Sequence, residues 1–295
     1  MPSEWPRGRV VSDLPRARVE EPWGGAALPR EPLAGAAADR GWWPVVWDAA
    51  QGVGACMSTR CGGVSAAPWD GFNLGAAVGD NPAAVRENRR RFEAHIGARP
   101  VWLRQVHGSR VLRLDASCLG SGREDEVPEA DAAWTNVPGL ACTIQVADCL
   151  PILLAAPQGR GVAAAHAGWR GLAEGVVEAT LQALCDGVGC SAVQLVAWLG
   201  PCIGARQFEV GADVLHAFGA TPDGPSPDFV PRFAADGSRR WLADLAGLAR
   251  SRLMRAGVGR IGGGGGCTVE DRARFFSYRR DRITGRQAAA VWIRT

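Results

Sequence analysis

The sequence predicts one mixed α/β domain with more strands than a simple doubly wound sheet needs. Many short apolar segments are separated by Gly, Pro or Asn turns, as is typical of strands. Longer segments carry apolar residues at the spacing of amphipathic helices. No internal repeat and no obvious linker follows residue 45. We therefore expect these elements to share one domain.

The strands are predicted where apolar or alternating residues run between turn signals. The segments are 42–47, 54–60, 100–106, 111–114, 131–135, 141–146, 152–155, 162–166, 193–199, a short strand ending at Ile261, and 289–293. The strands before and after the turn at residues 157–161 are sequence neighbours, and we expect them to pair as a hairpin.

A first helix is predicted over residues 82–97, because Asn81 is a good N-cap and Pro82 suits the first helical position. Apolar spacing predicts further helices over residues 172–185, 208–218 and 241–256. Residues 117–129 are acidic and contain glycine, which indicates a loop. Residues 1–40, rich in Pro, Gly, Ala and Arg, are predicted to be a disordered or loosely ordered N-terminal extension. The catalytic domain is then expected to span residues 41–295.

Composition excludes several classes of protein. All 33 basic residues are arginine, so enzymes that need a catalytic lysine, pyridoxal phosphate enzymes and P-loop proteins are excluded. A net charge of +3 is too small to indicate nucleic acid as a partner. The sequence has no apolar run of the ~20 residues that a membrane helix needs, and no secretory signal. We therefore predict a cytoplasmic protein with no membrane partner.

Three residues that can bind a metal are each predicted at the end of a strand: His107, Cys149 and His166. The other two of the four histidines fall inside predicted helices. A Cys/His/His set can hold zinc and leave one coordination position open. From the residues alone, two alternatives stay open: a cysteine nucleophile with a histidine base, and ordinary buried side chains. Asp148 lies beside Cys149 and is a candidate general base or orienting group.

Several segments, in the same order, resemble the YfiH-type family, once called domain of unknown function 152. They are QVHGSRV, TIQVADCLPILLA, AAAHAGWRGL, WLGPCIGARQFEVG and FFSYRRDRITGR, preceded by STRCGGVSAAPWDGFNLGAAVGDNP. The resemblance covers about residues 52–294. It implies an α+β fold, a single domain in which two mixed β-sheets lie between helix layers (α/β/β/α). It also implies a zinc site, with copper as the alternative metal, formed by His107, Cys149 and His166.

The resemblance implies a purine nucleoside enzyme. The expected reactions are phosphorolysis of adenosine, inosine or methylthioadenosine to the base and ribose 1-phosphate, and hydrolytic deamination of adenosine. The expected partners are therefore small molecules, purine nucleosides and phosphate. The oligomeric state is not predicted.

Candidate site residues follow from these motifs. Asp148 and Cys149 are predicted to be catalytic, as are Arg60 and Arg170, because phosphate must be held by arginine where lysine is absent. Predicted substrate-binding residues are Arg60, Asn73, Arg170, Tyr278 and Arg279. Arg280 is a further candidate for the anion, although surface ion pairing is the commoner role of arginine.

Three alternative functions remain. One is a peptidoglycan-precursor editing hydrolase that uses the cysteine or zinc. Another is a copper-dependent polyphenol oxidase, which is disfavoured because four histidines cannot build a multicopper cluster. The third is a metal-stabilised binding module without catalytic activity.

Overall fold

The computed structural model describes residues 41–120 and 127–295. The predicted N-terminal extension and part of the predicted acidic loop lie outside these residues. Fourteen strands are present in the described part: β1 Trp42–Trp43, β2 Val53–Ser58, β3 Arg99–Val101, β4 Val111–Leu114, β5 Ala132–Thr135, β6 Leu140–Val146, β7 Leu150–Ala155, β8 Val162–Ala167, β9 Val196–Leu199, β10 Glu209–Val210, β11 Phe229–Phe233, β12 Arg239–Ala243, β13 Arg260–Gly263 and β14 Gln287–Ile293.

The same described residues contain six α-helices. They are α1 Pro82–Ile96, α2 Trp169–Glu174, α3 Val176–Val188, α4 Ala212–Ala217, α5 Leu245–Arg255 and α6 Tyr278–Asp281. Short 3₁₀ turns occur at Ala116–Leu119, Pro157–Gly159 and Ala192–Gln194.

The strands form two large mixed sheets and one small sheet. The five-stranded sheet has the order β1-β2-β14-β6-β3, and the six-stranded sheet has the order β13-β9-β7-β8-β5-β4. Each contains both parallel and antiparallel pairs. A three-stranded antiparallel sheet, β10-β12-β11, is an addition that the sequence did not predict.

Three apolar cores separate four layers, and they confirm the predicted α/β/β/α arrangement. Alternate residues of β14 point to opposite faces, because side chains alternate along a strand. Ala290 packs with Phe92 of α1, whereas Val291 packs between the two large sheets with Leu153 of β7. The other face of the six-stranded sheet is covered by α3 and α5, with Leu154 and Leu184 in the same core. Both large sheets are therefore buried on both faces, which explains their continuous apolar strands.

The predicted hairpin is confirmed: β7 and β8 are antiparallel neighbours, and Pro151 lies opposite His166. The start of α1 is also as predicted, since the Asn81 side chain accepts a hydrogen bond from Ala83 N and Pro82 is the first helical residue. The predicted strand over residues 100–106 is wrong beyond Val101. Its second half is a loop in which only Arg104 makes an isolated β-bridge, to Glu129.

Three predicted helices need correction. The helix predicted over 172–185 is two helices, because Gly175 adopts a left-handed conformation (φ 97°) between α2 and α3. Residues 208–218 contain β10 before α4. The helix predicted over 241–256 begins only at Leu245, after Asp244 accepts a hydrogen bond from Gly247 N as its N-cap. The residues before Asp244 form β12, where Trp241 is buried.

The chain crosses between the two large sheets at one edge of the sandwich. The loop from β3 to β4 and the turn from β6 to β7 each leave the five-stranded sheet and enter the six-stranded sheet. His107 lies in the first connection and Cys149 in the second. The sequence had predicted both at strand ends, whereas the structure places them in crossover segments.

Candidate metal centre

His107, Cys149 and His166 come together at this edge of the sandwich. Their ligand atoms all lie within 4.8 Å of one another. The Cys149 Sγ atom is 3.7 Å from His107 Nε2, and the two imidazole rings meet at 71° with centroids 4.8 Å apart. His166 is 3% exposed and His107 is exposed, so the cluster is open to solvent on one side. One thiolate and two imidazoles are the donors that zinc and copper prefer.

A buried carboxylate, Asp131, contacts the ring of His166 and the backbone of His107. Its Oδ1 atom is 2.8 Å from His166 Nδ1, which leaves Nε2 of that ring as the nitrogen available to a metal. Oδ1 also accepts a hydrogen bond from His107 N, and Oδ2 accepts from Val106 N and Gly108 N. This is the usual arrangement of a carboxylate behind a metal-binding histidine. Sequence analysis missed this role and placed Asp131 only at the start of a strand.

The charges at the centre favour a Cys149 thiolate beside a protonated His166, so a metal that binds His166 must displace that proton. Burial of Cys149 opposes ionisation, but the charge of His166 and hydrogen bonds from His107 and His166 outweigh burial and lower the pKa of the thiol to about 6. Burial of His166 opposes its protonation, whereas Cys149 and Asp131 raise the pKa of His166 to about 9. Cys149 therefore faces the other ligands as a thiolate, which is the form that binds a metal.

Two residues of the centre have unusual backbone conformations. His107 has φ 66° and Asp148 has φ 103°, both in the region that favours glycine. The surroundings hold Asp148 in this conformation through three segments. Its Oδ1 accepts from Thr268 Oγ1 and its Oδ2 accepts from Arg279 N, both at 2.6 Å, while its carbonyl accepts from Ile203 N. Non-glycine residues with positive φ cluster at functional sites because only a well-determined framework maintains them.

The predicted arginines have different surroundings. Arg60 donates to the carbonyl and carboxylate of Asp70 and stacks on Phe276. Arg170 is exposed and lies over the ring of the neighbouring Trp169. Arg279 donates through its side chain to the carbonyls of Gln207 and Glu209 and through its backbone N–H to Asp148. Arg280 is bound by carbonyls of the chain and by Asp281, as expected for a structural arginine.

Asn73 and Tyr278, both predicted to bind substrate, differ in exposure. Asn73 is fully buried, and its side chain bonds to Gly75, Asp80 and the backbone N–H of Arg286. Tyr278 is 51% exposed and begins α6, one residue before Arg279. Their contact with a substrate stays a prediction.

The chain matches a family described as multi-copper polyphenol oxidoreductase laccase over residues 54–294. It is 47% identical over 249 residues to a purine nucleoside phosphorylase of Escherichia coli called YfiH, a match that covers 84% of this chain and 96% of the relative. The chain belongs to the YfiH family. This confirms the resemblance inferred from the motifs.

Other members of the YfiH family are also similar to this chain. A purine nucleoside phosphorylase of Pseudomonas aeruginosa is 50% identical over 252 residues, which cover 85% of this chain and 98% of the relative. A solved structure of a Neisseria meningitidis protein of the same family has a TM-score of 0.76 and 42% identity, with 86% of this chain and all of that chain covered. The structure of YlmD from Geobacillus stearothermophilus has a TM-score of 0.78 and 32% identity, with 87% and 97% covered.

This member of the YfiH family has no described helix that combines the length and apolarity of a membrane span. Its His107–Cys149–His166 cluster is a group that could hold a metal ion.

One residue beside this cluster, Arg286, was not selected from the sequence. It ends the recognisable FFSYRRDRITGR segment, but it is one of ten arginines in the last 44 residues, so its residue type alone does not single it out. Only the pairing of strands identifies it.

Proposed function

We propose that the protein is a zinc-dependent purine nucleoside phosphorylase. The observation that carries the proposal is a convergent His/Cys/His set, ordered by a buried carboxylate, in a chain whose relatives are named purine nucleoside phosphorylases. Adenosine, inosine and methylthioadenosine are the proposed nucleosides. We also propose that it acts in the cytoplasm on these small molecules.

The donor set supports zinc, with copper as the alternative. Three protein ligands leave a fourth position for an exogenous group, as in catalytic rather than structural zinc sites. When bound, the metal supplies Lewis acidity at that position. His166 is fixed by Asp131, whereas His107 is exposed and lies beside the solvent-facing side of the cluster.

In phosphorolysis a phosphate oxygen forms a bond to C1′ of the ribose as the bond from C1′ to the purine nitrogen breaks, and the departing base takes up a proton. Because no lysine is present, arginine must hold the phosphate. Arg60, Arg170 and Arg279 are our candidates for contacts with phosphate or nucleoside. The exposed ring of Tyr278 is proposed to stack on the purine.

We further propose adenosine deamination at the same centre, because Asp148 places a carboxylate directly beside a metal ligand. Water adds at C6 of the purine and ammonia leaves, so one group must move protons between them. Both oxygens of Asp148 accept one hydrogen bond each, from Thr268 and Arg279. Each carboxylate oxygen keeps a further acceptor position for this role.

The proposal is tested by incubating zinc-loaded protein with inosine or adenosine, with and without phosphate, and separating the products. We expect hypoxanthine from inosine only when phosphate is present, together with ribose 1-phosphate, and inosine from adenosine without phosphate. Cys149→Ser should lose bound metal and activity, whereas the matched variant Cys61→Ser should keep both.

Other outcomes would point to the alternative functions. Full activity in a strong chelator with an alkylation-sensitive Cys149 would contradict a metal mechanism and favour a cysteine hydrolase. Phenol oxidation by the copper-loaded protein without nucleoside turnover would favour the oxidase. Metal binding without turnover of any nucleoside would favour peptidoglycan-precursor editing or a binding module.

A further inference from the structure

Arg286 lies at the edge of the metal centre. The next residue, Gln287, begins β14 and pairs with Val146, the last residue of β6. The chain continues from Val146 through Ala147 and Asp148 to Cys149. Because β14 and β6 are antiparallel, Arg286 lies opposite the segment that leads into the thiolate.

The backbone and stem of Arg286 are held in place by the loop after residue 72. Asn73 Oδ1 accepts a hydrogen bond from Arg286 N at 2.8 Å, and Leu74 N donates to the Arg286 carbonyl at 3.0 Å. Gly75 leaves room for the arginine stem, since a Cβ atom there would lie 2.7 Å from Arg286 Cγ. The loop is therefore shaped around this side chain.

The guanidinium group of Arg286 makes no direct ion pair with a carboxylate of the described residues. Nη1 donates to the carbonyls of Thr284 and Gly285, at 3.1 and 2.9 Å. Nε and Nη2 donate to no atom of the described residues. Burial lowers the pKa of Arg286, and the electrostatic attraction of Cys149 and Asp148 opposes that change. A half-buried arginine of this kind is stabilised by an anion that accepts from its remaining donors.

Two of the other candidate arginines, Arg60 and Arg280, are already paired with carboxylates. Arg60 pairs with Asp70 at 3.2 Å, and Arg280 pairs with Asp281 at 2.7 Å. In contrast, the Nε and Nη2 atoms of Arg286 form one side of the planar fork that binds two oxygens of a phosphate or carboxylate.

We propose that Arg286 binds the phosphate co-substrate through Nε and Nη2. Asn73 and Gly75 are positioning residues that hold Arg286, rather than residues that touch the nucleoside. This inference rests on the proposed phosphorolysis for its substrate, and it adds a residue that the motifs did not identify. It also gives the buried Asn73 a role that its hydrogen bonds explain.

The first test measures binding of inorganic phosphate to the zinc-loaded protein by calorimetry, independently of turnover. Arg286→Gln keeps the stem over Gly75 but removes the charge and the fork, and should weaken phosphate binding about tenfold or more. Arg282→Gln is the matched control, since it removes an exposed arginine of the same segment, and should bind phosphate within about twofold of wild type. Zinc content should be equal in all three proteins.

A second variant tests the same role in case Arg286→Gln does not fold. Gly75→Ala keeps the guanidinium but displaces its stem, and it should also weaken phosphate binding. With phosphorolysis as the readout, both variants should raise KM for phosphate while KM for inosine changes little.

The outcomes separate the two proposals. The role of Arg286 is overturned if Arg286→Gln binds phosphate with the same affinity as wild type. It is also overturned if the wild-type protein binds no phosphate. Wild type that binds phosphate through Arg286 but cleaves no nucleoside supports the anion site and contradicts the proposed phosphorolysis.

Discussion

At the scale of single residues, Asp131 links the two histidines of the centre. Its side chain is fully buried, yet it accepts hydrogen bonds from three consecutive backbone N–H groups and contacts the ring of His166. Burial opposes its ionisation, but His166 and the N–H groups of Gly108 and Val106 lower the pKa of Asp131. The carboxylate thus sets both the conformation of the His107 loop and the orientation of His166.

Asp131→Asn should reduce metal affinity by about 10- to 100-fold. The amide offers one acceptor oxygen in place of two, and its NH₂ group would face the N–H donors of Val106 and Gly108. Competition with a chromophoric chelator measures the affinity. Glu129→Gln is the control, because Glu129 pairs with Arg104 on the surface, and it should bind metal as wild type does. Equal affinities in both variants would contradict the orienting role of Asp131.

At the scale of elements, two glycines at the ends of α2 have different roles. A Cβ on Gly168 would lie 2.9 Å from Cys149 Sγ and 2.9 Å from His107 Cδ2. Gly175 has room for a Cβ, with its nearest contact at 3.6 Å, but has φ 97°. One glycine is therefore needed for the close approach of Cys149 and His107, and the other for the turn between helices.

Gly168→Ala should lower the metal content of the purified protein, because its methyl group would push two ligands apart. Gly175→Ala should instead lower the free energy of unfolding by about 1 kcal/mol and leave metal content unchanged. Elemental analysis and urea unfolding, run on both variants, separate the effects. Metal loss from both, or from neither, would contradict this division.

At the scale of the whole molecule, the two large sheets pack through one apolar core. Leu153 of β7 lies in that core and is fully buried. The same pair of sheets supplies both crossover segments that place His107 and Cys149. Stability of the sandwich and geometry of the metal centre are therefore linked.

Leu153→Ala should lower the free energy of unfolding by about 2–5 kcal/mol, since it leaves a cavity between the sheets. Val193→Ala, at a residue 67% exposed, should change it by less than about 0.5 kcal/mol. Denaturant unfolding followed by tryptophan fluorescence measures both. A small effect of Leu153→Ala would mean that the sheets are not closely packed there.

Deletion of residues 1–40 should leave metal binding and unfolding of the remaining chain unchanged. The candidate metal ligands lie between residues 107 and 166, and the family match begins at residue 54. The shortened chain is compared with the full chain by metal titration and thermal unfolding. Loss of folding on deletion would contradict the predicted boundary at residue 41.

The sequence by itself determined what depends on local pattern. The start of α1 followed from Asn81 and Pro82, and the β7–β8 hairpin from two apolar runs around a short turn. Residue types together with family motifs predicted the three members of the His107–Cys149–His166 cluster. It failed where one pattern fits two structures: Trp241 and Leu242 match the spacing of α5 but lie in β12.

Tertiary structure alone decided the arrangement around the ligands. Asp131 meets His166 through the neighbouring strands β5 and β8, and Arg286 approaches Cys149 through the pairing of β14 with β6. These contacts join residues 35 or more positions apart, and local sequence carries no signal for such pairs. The members of the cluster could therefore be predicted from the sequence, whereas the carboxylate that contacts them and the arginine beside them required the packed sheets.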